Sequence, residues 1–82
     1  MINMEQILID NGFKHIRTVG NKKEYEKIID VHKMRVRPSL KSVYIEYELM
    51  NKKYDIKTVR ITEEEAIKVI EAFIVMEIIL NT

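Results

Sequence analysis

An α+β fold is predicted by three features of this 82-residue sequence. A short apolar-periodic segment near the N-terminus is capped at both ends, two alternating runs at 42–50 and 54–61 flank a brief polar loop, and a long segment after Thr62 repeats its apolar residues every three to four positions. Period-two alternation marks a strand with one buried face, and a period near 3.6 marks a helix with one buried stripe. The expected order is a short N-terminal helix, an antiparallel sheet of three to four strands, and a long C-terminal helix packed on one face of the sheet. All of it belongs to one domain, 1–82.

The first helix is expected over about 4–11. Asn3 is placed to cap it, with Gln6 as an approximate capping-box partner, and Ile2 and Ile7 are spaced for a hydrophobic staple. Gly12 follows Asn11 where a left-handed residue ends a helix. A strand over 13–19 then closes at Gly20-Asn21.

The next segment is ambiguous. Tyr25, Ile28, Ile29 and His32 fall at helical spacing, yet β-branched residues are dense and "KMRVR" alternates. A single strand over about 24–37, bulged near 30–32, is favoured, and a helix over 22–31 stays open. Pro38-Ser39 ends that strand. In "SVYIEYELM" one face carries Val43, Ile45, Tyr47 and Leu49, and the other carries Tyr44, Glu46, Glu48 and Met50. After a loop at 51–53, "YDIKTVRI" returns antiparallel, which sets Glu46 and Glu48 against Lys57 or Lys53. Thr62 and Glu65 form a second capping box, with Glu63 and Glu64 in the same first turn, and the helix that starts there runs to about Leu80.

Composition narrows the classes of function. Without cysteine there is neither a disulfide nor a thiolate metal site, and His15 and His32 are too far apart to form a helical metal pair. No metal or cofactor is expected. A chain this short buries a modest core and usually leans on some further support, of which self-association is the one left. The N-terminal "MINMEQILID" lacks the basic start and cleavage site of a secretory signal, and uncharged stretches such as 72–76 are far short of the roughly 20 residues that span a bilayer. A cytoplasmic protein with no membrane partner is expected. Fourteen Lys/Arg against thirteen Asp/Glu give a net charge of +1, so charge-driven recognition has to come from local patterning.

The densest local pattern is "HKMRVRPSLK". On a strand, Lys33, Arg35 and Arg37 share one face at a spacing of about 7 Å, and Lys41 follows in the turn. Such a ridge suits phosphates or an acidic partner, with Tyr44 near it as a stacking surface and Tyr47 favoured for the core, in phase with Val43 and Ile45; an ordinary solvated face is the favoured, blander reading. No catalytic set accompanies it. The only glycines are Gly12 and Gly20, which excludes a phosphate loop, and "PSLKS" is no nucleophile elbow. A hydrolase would need His15 or His32 with a carboxylate partner. No catalytic residue and no small-molecule substrate are assigned.

The α-β-β-β-α order is similar to that of double-stranded RNA-binding domains, which present lysines at the start of the final helix. Here that position reads "TEEEA", whose carboxylates repel RNA, so the function is not carried over. The stretch "ILIDNGFKHIRTVGNKKEY" at 7–25 resembles the opening of HicA-type toxins, a family with a histidine, its RNase base, just after the glycine. Asn21-Lys22-Lys23 stand there instead, so the resemblance implies a shared helix-to-strand turn without the base.

The last helix changes character along its length. On a wheel of about 100° per residue, Glu64, Lys68 and Glu71 form a solvent stripe opposite Ala66, Ile70 and Phe73. Continuing the solvent stripe brings Val75 and Ile79, and continuing the core stripe brings Glu77. Two explanations compete. Either Val75, Ile78 and Ile79 meet a second copy, with Glu77 at that interface, or the N-terminal helix covers them within one chain. The first is favoured because small cores without other supports tend to associate. Glu77 then needs a cation, and the ridge Lys33, Arg35, Arg37 is the densest source.

The sequence therefore predicts a small non-enzymatic protein-binding module, homodimeric, acting as an accessory regulator or inhibitor through macromolecular contact. Its composition suits a phage or mobile-element protein. The alternative is a nucleic-acid-binding protein using Lys33, Arg35 and Arg37.

Overall fold

The computed structural model describes residues 2–53 and 55–81. Helix α1 (Met4–Asp10) is followed by strands β1 (Lys14–Val19), β2 (Lys22–Ile29), β3 (His32–Pro38), β4 (Val43–Leu49) and β5 (Ile56–Ile61), and then by helix α2 (Glu63–Leu80). The strands form one antiparallel meander in chain order, β1-β2-β3-β4-β5. The α+β architecture agrees with expectation, with five strands where three to four were expected.

Local chemistry explains the helix ends. Asn3 accepts the Gln6 amide, and Gly12 takes φ 86° just beyond the last turn of α1. Gln6 does not complete a capping box; its side chain donates to Asp10 instead. Thr62 and Glu65 do form the reciprocal box at the start of α2. Hydrogen bonding of the Glu65 carboxyl to the Thr62 backbone N–H, and secondarily to the Thr62 side chain, holds it below its ordinary value.

The extra strand comes from a turn inside the segment read as one bulged strand. Ile29 pairs with His32, so Asp30-Val31 is a two-residue hairpin loop, neither a bulge nor part of a helix. Asp30 takes φ 55°, a left-handed value that aspartate tolerates better than most residues. The real bulge lies in β1. His15 opposes Tyr25 and Arg17 opposes Glu24, which leaves Ile16 as the extra residue. His15 and Arg17 therefore face opposite sides of the sheet despite their spacing of two. Strand β5 begins at Ile56, and the expected start at Tyr54 lies outside the described residues.

One face of the sheet carries the core. Tyr25 and Ile29 of β2, Met34 and Val36 of β3, and Val43 and Ile45 of β4 pack with Met4 and Leu8 of α1, Phe13, and Ala66, Ile70 and Phe73 of α2. Phe13 and Phe73 meet with ring centroids 6.2 Å apart. Burial, then the nearby Glu5 carboxylate, raises the Tyr25 hydroxyl above its usual value. Both helices lie on this side. The opposite face has neither.

Candidate interaction surfaces on the two sides of the sheet

The face without helices is an ordered set of cross-strand rows. Register brings Lys14, Glu26, Arg35, Glu46 and Thr58 into one row, and Ile28, Lys33, Glu48 and Ile56 into the next. Arg35 Nε donates to Glu26 at 2.7 Å and its terminal nitrogen to Glu46 at 3.2 Å. The hydrogen bond to Glu26 raises the Arg35 pKa against the opposing effect of burial. Lys33 Nζ lies 3.8 Å from Glu48. Glu46 and Glu48 thus serve β3; across the β4–β5 hairpin they oppose Thr58 and Ile56, where Lys57 or Lys53 was expected.

A third row differs in its balance. Arg17 opposes Glu24, Arg37 opposes Tyr44, and Tyr44 opposes Arg60. Glu24 is only 3% exposed although no helix covers this face. It accepts from Arg17 Nε at 2.8 Å and from Arg37 at 3.2 Å. The Arg37 guanidinium stands 4.7 Å from the Tyr44 ring centre, and that of Arg60, which also donates to Ser42, stands 5.7 Å away. Three arginines therefore stand in one row with a single carboxylate, which two of them, Arg17 and Arg37, share.

The structure thus places the sequence-predicted ridge Lys33, Arg35, Arg37 on one face, as its alternation implied, and gives every member a carboxylate partner. Lys41 lies exposed in the loop between β3 and β4. Arg17, Glu24 and Arg60 escaped the sequence reading. The signal for Glu24 was available, since Glu24 and Glu26 alternate in phase, and a turn at 30–31 folds them back onto Arg37 and Arg35. Nothing local marks the bulge that brings Arg17 to Glu24.

On the helical side, α2 changes halfway along. Its outward face carries Glu64, Lys68 and Glu71 and then Val75, Ile78 and Ile79, which are 49%, 63% and 64% exposed. Helix α1 does not cover them, contrary to the second explanation for their apolar character. Glu77 turns toward the sheet and pairs with Lys27 of β2 at 3.4 Å. The expected partner was the ridge, but Lys33, Arg35 and Arg37 lie on the far face, whereas Lys27 shares the core face with Tyr25 and Ile29. Gly12 leaves room for this lysine, since a Cβ there would sit 2.7 Å from its Nζ.

The two layers also separate charge. The helices carry seven carboxylates (Glu5, Asp10, Glu63, Glu64, Glu65, Glu71, Glu77) against Lys68 alone, a net −6. The strands and their connections, with thirteen Lys/Arg against six Asp/Glu, carry +7 of the chain's total of +1.

Other chemistry is sparse. His32 Nδ1 bonds the Tyr47 hydroxyl, and His15 Nε2 lies 3.2 Å from the Thr18 hydroxyl, so the two imidazoles partner hydroxyls rather than carboxylates. Among the described residues no group of three or more His, Asp or Glu is placed to hold a metal ion, and no helix is long and apolar enough to cross a membrane. One surface depression is lined by Ile28, Ile29, Asp30, Glu77, Leu80 and Asn81, which bring together two carboxylates but no nucleophile. Comparison with protein-family models, curated proteins and solved structures found no match.

Proposed function

We propose that the protein is a non-enzymatic protein-binding module that associates with a second copy through the outward face of α2. The reading rests on the aliphatic half of that helix. A helix of a monomer ordinarily continues its polar stripe to the end; here the stripe Glu64, Lys68, Glu71 gives way to Val75, Ile78 and Ile79, all about half exposed or more. Contiguous exposed aliphatic surface on a small chain marks an interaction site. Two such stripes, antiparallel about a two-fold axis midway between Val75 and Ile79, cover one another and carry the acidic first turns of the two helices apart. Burying what remains exposed of three or four aliphatic side chains per copy is worth several kcal/mol, on the order of 1 kcal/mol each, before the cost of association. An accessory regulatory or inhibitory role suits a module with this equipment.

The test is light scattering on the wild type and on Val75→Asp and Ile79→Asp. Wild type is expected at twice the chain mass and both variants at the chain mass, with unchanged far-UV circular dichroism. A wild type that stays monomeric at high micromolar concentration removes the self-association reading.

A further inference from the structure

We infer that the helix-free face of the sheet, along the row Arg17–Glu24–Arg37–Tyr44–Arg60, is a binding surface for single-stranded nucleic acid. This surface lies on the opposite side from the aliphatic stripe of α2 and does not depend on self-association.

Charge is the first support. The strands and their connections carry +7, of which the strand residues of the bare face carry +3, and the helices carry −6. A polyanion is drawn to the sheet and repelled by the helices, so the molecule presents one side to it. Within that side the charge is uneven. The row through Arg35 holds two cations, Lys14 and Arg35, and two carboxylates, Glu26 and Glu46, and Lys33 pairs with Glu48 in the next. The row through Glu24 holds three guanidinium groups to one carboxylate.

The role of Glu24 is the second. A carboxylate 3% exposed, on a face that no helix covers, has been taken out of water by its own arginines. It holds Arg17 and Arg37 in fixed orientations on either side of β2. A guanidinium has five N–H donors, and Arg17 uses its Nε here while Arg37 uses one terminal nitrogen. The remaining donors stand preset for phosphate oxygens, which lowers the ordering cost of binding. Glu24 is thus a positioning residue. The β1 bulge at Ile16 belongs to the same device, because without it Arg17 would face the other side.

Shape and stacking complete the case. Alternate strands stand about 10 Å apart, so Arg17, Arg37 and Arg60 on β1, β3 and β5 spread cationic groups over roughly 19 Å. Between the last two in the row lies Tyr44, with the guanidinium carbons of Arg37 and Arg60 at 4.7 and 5.7 Å from its ring centre. Aromatic rings and guanidinium planes are the surfaces on which unpaired bases stack. The face has no helix to enter the major groove of a duplex, and the acidic start of α2 opposes the phosphates that a lysine-tipped helix would grip. A flexible single strand fits; a rigid duplex does not.

Fluorescence anisotropy with a labelled oligothymidine, and with a duplex of equal length, tests this at about 50 and about 200 mM salt. Wild type is expected to bind the single strand in preference to the duplex, and more weakly as salt rises. Arg17→Ala and Arg60→Ala should each reduce the log–log salt slope by about 0.7, and together they should weaken binding at least tenfold. The paired Lys33→Ala/Glu48→Ala variant, which removes one charge of each sign, should stay within about twofold. Arg60→Ala keeps the test open if Arg17→Ala disturbs Glu24, since Arg60 bonds Ser42 and stands over Tyr44 and is not a partner of Glu24 among the described residues. No binding at low salt overturns the proposal. So does a slope unchanged in the arginine variants, preference for the duplex, or binding to phosphatidylserine vesicles without binding to the oligonucleotide.

Discussion

The two faces of this sheet are built from the same alternating strands and solve opposite problems. On the helical face, Val36, Val43 and Ile45 are removed from water by α1 and α2, and stability there scales with the aliphatic area covered. On the bare face, charged side chains cover the strands themselves. Their stems lie along the sheet, and their heads pair across it, Arg35 with Glu26 and Glu46, Arg37 with Glu24. The comparison shows that a face can be dry at one point without an apolar layer, as Glu24 is. Its exposed residues are mostly polar, with exceptions such as Ile28 and Ile56, whereas the second half of the outward face of α2 is aliphatic.

The largest effect that can break this comparison is the loss of both arginines around Glu24. Arg17→Met with Arg37→Met keeps apolar stems over the carboxylate but removes its cations, and the double variant should lose about 3 kcal/mol or more in denaturant unfolding. Adding Glu24→Gln should recover a large part of that loss, because the charge is removed along with its partners. If the arginine pair can be deleted without cost, Glu24 is not held as described.

Local patterns made the helices and β4 legible in the sequence. Asn3, Gly12, Thr62 and Glu65 act within a few residues of themselves, so their roles as caps could be read directly. The same holds for the Ala66, Ile70, Phe73 stripe and for Val43 and Ile45 facing inward. The bare face was half legible. Its basic members were plain, but their carboxylates came from other strands, and the register depends on a turn with no glycine at Asp30-Val31 and a bulge at Ile16. The partner of Glu77 escaped for a related reason. Lys27 is a long side chain on the core face of β2, and its reach to α2 under Gly12 is a tertiary fact.

A smaller effect sharpens the comparison at the start of α2, where acidic residues serve the helix and not the sheet. Hydrogen bonds from Thr62 depress the Glu65 carboxyl relative to the unfolded chain. A depressed carboxyl contributes stability above its unfolded pKa, and the contribution is lost as pH falls through the lower folded value. Glu65→Gln keeps the reciprocal cap but cannot titrate. Thermal melts from about pH 6 down to about pH 2 should therefore show a slightly shallower acid limb in the variant. A limb as steep as that of the wild type would detach Glu65 from the cap's pH dependence.

The most direct measurement of which side associates is a dilution series followed by methyl resonances, because both sides carry exposed aliphatic reporters. Ile28 and Ile56 stand 49% and 48% exposed on the bare face, and Val75, Ile78 and Ile79 on α2. Resonances of Val75, Ile78 and Ile79 should shift with concentration while those of Ile28 and Ile56 stay fixed. Shifts confined to Ile28 and Ile56, or none at any concentration, would contradict the assignment of self-association to α2.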